Sequence, residues 1–222
     1  VDYPPVPDPA FAPPADPLGD GKGLRARAGV VRRDIPLVLS ATALTISDVR
    51  AAVGDLTVGL FDAPAQVVDV LTGDSRVAAG LASRVGGLLG REVQFEIPRK
   101  LRDSSAAQEC RDAFAERWPV MAPESVLSEL CTWAVMLGNG LAQMPWDMSG
   151  DYATPHPKIW HPRYTWYHWT ARRMIANTLD GVAVIEPGDG HWIQHAPHGF
   201  YRGWMRGALR PIAPWMIARN LA

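Results

Sequence analysis

The sequence predicts an α+β fold in which helical segments surround a small antiparallel sheet, preceded by an extended Pro-rich arm and followed by a terminal helix. Three observations predict it. Apolar residues recur at helical spacing through most of residues 34–150. Short β-like runs separated by turn residues fill 151–202 and read as an antiparallel meander. Prolines crowd the first 17 positions. The expected organisation is therefore an arm at 1–33, a mostly helical part at 34–150, the meander at 151–202, and the opening of a further helix at 203–222.

Seven prolines in "VDYPPVPDPAFAPPADP" fix φ and remove backbone donors, so this arm should run extended over another surface, as a linker or a subunit-clasping arm. "GDGKG" is a flexible connector. Ser47 is expected to cap "DVRAAVGDL", and Asp62 to open "APAQVVDVLTG", which stops at Gly73. In "DSRVAAGLASRVGGLL", Val77, Leu81, Val85 and Leu88 repeat at helical spacing. "EVQFEIP" alternates Val93, Phe95 and Ile97 against Glu92, Gln94 and Glu96, the period of a half-buried strand ended by Pro98. "DSSAAQECRDAFAERW" reads as a capped polar helix. The strongest helical pattern is "PESVLSELCTWAVMLGNG", with Pro123 in the first turn and Val126, Leu127, Leu130, Ala134 and Leu137 on one face. "LAQMPW" should return as a strand, before the runs "KIWHP", "YTWYHW", "RRMIANT", "GVAVIEP" and "HWIQHA".

With 47% apolar and 20% charged residues, the chain is an ordinary folded protein. Its net charge of -1 hides an asymmetry: residues 1–150 carry 14 basic and 19 acidic side chains, whereas 151–222 carry 8 and 4. Such a split suits orientation in an assembly or against a polyanion, and equally a solvated surface. Cys110 and Cys131 lack the close pairing of zinc sites, and reduced thiols are expected. No apolar run reaches the length of a membrane span, so no membrane partner is predicted. The start at Val1 and the end inside a helix-like stretch lead us to expect part of a longer protein.

Catalytic signatures are missing: there is no G-x-S-x-G, phosphate loop, G-x-G-x-x-G or H-E-x-x-H. His191, His195 and His198 have spacings that would converge on zinc only if helical, and Gly190 and Pro197 argue for a β-like segment instead. No catalytic residue, metal or cofactor is predicted.

The candidate functional residues lie near the C-terminal end. Arg202, Arg206 and Arg210 are spaced by four, so on one helix they would form a basic stripe beside Trp204 and Trp215. Six of the nine tryptophans fall between Trp160 and Trp215, interleaved with arginines. Such a composition suits a protein interface or a single-strand-binding surface, and core packing should take at least half of them. In "YTWYHW" both faces carry aromatics, which favours a strand covered on both sides.

Several segments, in this order, resemble portal proteins of tailed bacteriophages, in particular the Mu-like portal family. They are "APAQVVDVLTGDSRVAAGLASRVGGLLGREVQFEI", with Gly73-Asp74, Leu81, Arg84, Leu88 and Phe95 to Ile97 at the matching positions, then "WHPRYTWYHW", "LDGVAVIEPGDGHWIQHAPHG" with Ile193, Gln194 and His195, and the closing "RGWMRGALRPIAPWMIARNLA". The resemblance spans about residues 44 to 222. It implies a non-enzymatic wing region entering a stem-type helix, in a ring usually of twelve subunits at one capsid vertex. Its implied partners are copies of itself, the major capsid protein, terminase, neck, adaptor or tail proteins, and the double-stranded DNA that passes through. It implies a virion protein assembled in the host cytoplasm. Under it, Arg202, Arg206, Arg210, Trp204 and Trp215 would sit at a subunit interface or near DNA. The competing classes are a stand-alone nucleic-acid-binding module using the Trp/Arg-rich C-terminal third and, on the histidine cluster, a zinc hydrolase.

Overall fold

A computed structural model describes residues 44–149, 153–179, 181–186 and 188–220; the Pro-rich arm at 1–33 lies outside the described residues. The fold is mixed, with helices packed around small antiparallel sheets, as expected.

Helix α1 (Ile46–Val58) starts at Thr45 and not at Ser47. Thr45 has an acid three residues on, where Ser47 has Arg50. The Thr45 hydroxyl therefore accepts from the Asp48 amide at 3.2 Å while the Asp48 carboxylate accepts from the Thr45 amide at 2.9 Å. These hydrogen bonds hold the Asp48 carboxyl below the usual carboxylate range. Helix α2 (Asp62–Thr72) ends at Gly73, and Asp74 caps α3 (Ser75–Leu89) by accepting from the Arg76 and Val77 amides at 2.9 and 3.4 Å. Val77, Leu81 and Val85 of α3 are buried, whereas Leu88 is exposed.

"EVQFEIP" is not a strand. Residues 92–98 run without a pairing strand among the described residues, and Phe95 packs on Phe114 and Trp118 of α4 (Ser105–Met121), with ring centroids 5.2 and 5.5 Å apart. Alternation gives a strand only where another strand offers its edge. Helix α4 buries none of its residues. Helix α5 (Glu124–Leu137) is its opposite and buries Leu130, Cys131, Trp133, Ala134, Met136 and Leu137.

The strands do not form one meander. β1 (Gly140–Gln143), which directly follows α5, lies between β4 (Lys158–Trp160) and β8 (Trp192–His195), with Leu141 opposite both Trp160 and Gln194. β2 (Trp146–Asp147) pairs β3 (Thr154–Pro155). β5 (Thr165–His168), β6 (Arg173–Thr178) and β7 (Gly181–Ile185) make a separate antiparallel sheet. Leu60, just after α1, bridges to Trp166, and the Tyr167 amide donates to the Gly59 carbonyl at 2.8 Å, so that sheet is sewn to the α1–α2 joint. One core then joins Leu56, Phe61 and Leu71 to Met136 and Leu137, to Leu141, Met174 and Ile185 of the sheets, and to Trp204 and Leu209.

Candidate functional site

The segment from Arg202 onward is not one helix. A 3-10 turn (Gly203–Arg206) is followed by Gly207 in an extended conformation and then by α6 (Leu209–Asn220). The cause is a crossing of backbones. The chain passes over the end of α5, where the Ala208 amide donates to the Val135 carbonyl at 2.9 Å. A Cβ on Gly207 would lie 2.5 Å from the Met136 carbonyl oxygen. On the facing side Gly138 ends α5 at φ 68, and a Cβ there would come within 2.6 Å of the Trp204 Cα. A continuous helix cannot make this contact.

The predicted arginine stripe is consequently absent, and the three side chains go separate ways. Arg202 turns back: its Nε donates to Met205 Sδ at 3.3 Å and its guanidinium stands 6.0 Å from the Trp169 ring centre. Arg206 is exposed. Arg210 is half-buried on α6 and donates to the Thr57 hydroxyl of α1, while its Nε has no acceptor among the described residues. Trp204, expected at an interface, is 2% exposed and packs with Phe61, Tyr167 and Trp169 at 6.1, 4.6 and 6.1 Å. Trp215 is 41% exposed on α6. The strand of "YTWYHW" is covered on both faces as expected, since Thr165, Tyr167 and His168 are buried and Trp166 is half-buried.

Sequence reasoning missed the residues that gather around Trp169. Its ring meets Tyr167 at 5.3 Å and Tyr201 at 6.4 Å, and its indole N–H donates to the Val58 carbonyl at 2.8 Å. Two arginines border this cluster, and both hold unusual backbones: among the described residues, the non-glycine residues with left-handed φ are Arg172 (51°) and Arg202 (56°). Each such residue costs roughly 1–2 kcal/mol, which the surrounding packing must offset. Burial and the neighbouring Tyr201 push the Tyr167 hydroxyl up to about 12, against the opposing pull of Arg172 and Arg173. No sequence pattern announces a left-handed arginine. The turn "WTARR" lacks the Gly or Asn that usually marks one.

A second cluster is a structural tether. His161 Nε2 lies 3.2 Å from the Asp69 carboxylate and Arg163 Nε 3.7 Å from that of Asp62, binding the 3-10 turn Pro162–Tyr164 to α2. The histidines considered for zinc separate: His195 sits half-buried in β8, where burial holds its ring below its usual 6.5, while His191 and His198 are exposed. Among the described residues, no three His, Cys, Asp or Glu side chains are placed to hold a metal. No single described helix is long and apolar enough to cross a membrane; α4 and α5 reach that composition only together, across a 72° bend.

What these residues build is a packing joint around an aromatic hub, with exposed surface left on α4 and α6, and the class it defines is a structural module. The family described as the portal protein of Mu bacteriophage matches residues 65–222, well over half of the chain. The chain belongs to that family, which is structural rather than enzymatic. No curated protein matches it.

Proposed function

We propose that this chain is the portal subunit of a tailed-phage head: one member of a ring of about a dozen copies at a single capsid vertex, assembled in the host cytoplasm and carried in the virion. Double-stranded DNA would enter and leave through the ring. The major capsid protein would surround it, and terminase and then neck or tail proteins would dock on it. The observation that carries this reading is the family match across residues 65–222, which covers α3 to α6 and every strand among the described residues. Two structural features support it. Helix α4 has no buried residue, and α6 presents Trp215 to solvent, so both offer surface to neighbouring copies. Of the candidate residues, Arg206 and Trp215 are the exposed ones; Arg202 is partly exposed beside Trp169, Arg210 is engaged with Thr57 and Trp204 belongs to the core.

The stand-alone nucleic-acid-binding module is the weaker reading. Stacking platforms need open aromatic faces, and Trp192 and Trp204 are buried. Electron micrographs of the purified full chain decide between them. Annular particles with a central hole are expected; small particles that bind single-stranded DNA would favour the module.

A further inference from the structure

Arg202 stands over Trp169, Trp169 meets Tyr201, and both rings touch Tyr167, on which Arg172 and Arg173 act electrostatically, where the β5–β6 turn meets the segment leading into the Gly203–Arg206 turn. Arg172, Arg173 and Tyr201 are exposed, and Trp169 and Arg202 are partly so. Glu186, which follows Ile185 and so neighbours Arg173 in the sheet register, offsets part of the charge. The patch remains basic and aromatic, and two of its arginines stand at left-handed backbone positions. Strain of this kind persists where the packing around it dictates the position of a side chain.

The same polypeptide carries a segment with the complementary chemistry. Residues 1–20 contain Asp2, Asp8, Asp16 and Asp20, no Lys or Arg, and seven prolines in the first 17 positions. Proline-rich chain favours the extended polyproline conformation, whose rings lie well against Trp and Tyr at little cost in order, and carboxylates pair with guanidinium groups through charge-assisted hydrogen bonds. Reach is no obstacle. Residues 21–44 span up to roughly 80 Å when extended, against about 20 Å for the length of α1, whose C-terminal end touches Trp169.

We infer that the surface formed by Trp169, Tyr201, Arg172, Arg173 and Arg202 is the dock for the acidic, Pro-rich segment 1–20 of this protein. Duplex DNA would use the guanidinium groups but leave Trp169 and Tyr201 without an apolar partner, so the arm satisfies more of the surface than phosphates do. Docking does not depend on ring formation, and an arm bound to its own body or to a neighbouring copy meets the inference equally.

The test uses the full chain with a photo-crosslinking benzoyl-phenylalanine in place of Phe11. Irradiation should place cross-links within 167–173 and 198–206. Arg172→Gly combined with Arg173→Ala, which keeps the left-handed backbone, should lower their yield about fivefold. So should Asp8→Asn with Asp16→Asn, a pair that leaves the body untouched. Cross-links elsewhere, or a yield indifferent to both pairs, overturn the inference. A short duplex DNA whose binding is lost in the arginine pair, with no arm cross-link at the patch, also overturns it and assigns the surface to phosphates.

Discussion

Gly138 and Gly207 face each other across a close crossing of backbones, and neither position leaves room for a methyl group. At Gly138 the obstacle is doubled, because φ 68 disfavours any L side chain and the nearest atoms are backbone. Gly138→Ala and Gly207→Ala should each lower stability by about 2–4 kcal/mol, measured as a shift in the urea midpoint at unchanged slope. Beside them, Arg210 ties α6 to α1 through Thr57. A double-mutant cycle of Arg210→Ala and Thr57→Val should return a coupling of about 1 kcal/mol; zero coupling would mean that the hydrogen bond does not hold the joint. His195 supplies a pH dependence. Its ring binds a proton less readily folded than unfolded, so below 6.5 the unfolded chain takes up more protons, and stability falls as pH drops through that range. His195→Gln should flatten this part of the acid slope in urea melts at roughly pH 7 and pH 5. At this scale the sequence was least legible. Spacing by four was sound arithmetic for Arg202, Arg206 and Arg210, but it presumed a helix that Gly207 interrupts, and the left-handed Arg172 left no trace in composition.

Helices α2, α3 and α5 were readable because they carry local signals: Gly73 after α2, the buried repeat of α3, and the buried face of α5. Strands were readable as segments but not as partners. Nothing in "LAQMPW" tells that β1 sits between β4 and β8, since pairing depends on contacts 15 and more residues away, such as Gln143 with Lys158 and Leu141 with Gln194. "EVQFEIP" failed in the other direction: of its alternating apolar residues, Phe95 packs on α4 while Val93 is exposed. The unit made by residues 92–98 and α4 rests on Phe95, Phe114 and Trp118 and buries no helix residue in the main core. Phe95→Ala removes two edge-to-face contacts and should speed limited proteolysis between residues 90 and 104 by roughly tenfold, while the melting temperature of the body stays unchanged. Cleavage that accelerates throughout the chain would show instead that this unit supports the core.

Over the whole molecule, charge is unevenly divided along the chain. The first 150 residues are net acidic and the remainder net basic, an asymmetry that suits the proposed meeting of copies in one orientation and equally a solvated surface. Its core reaches from α1 and α2 through α5 and the sheets to Leu209 at the start of α6, while α4 remains exposed. A ring places demands on such exposed surface that a solitary molecule does not. Arg206→Glu with Trp215→Ala should therefore weaken assembly without lowering the stability of the subunit, checked by sedimentation beside a urea melt; normal rings from this variant would move the interface away from α6. Native mass spectrometry of the purified full chain tests the central claim most directly. The account predicts one dominant species whose mass is a single large multiple of the subunit mass, on the order of ten or more copies; a monomer or dimer that persists at high protein concentration would contradict it.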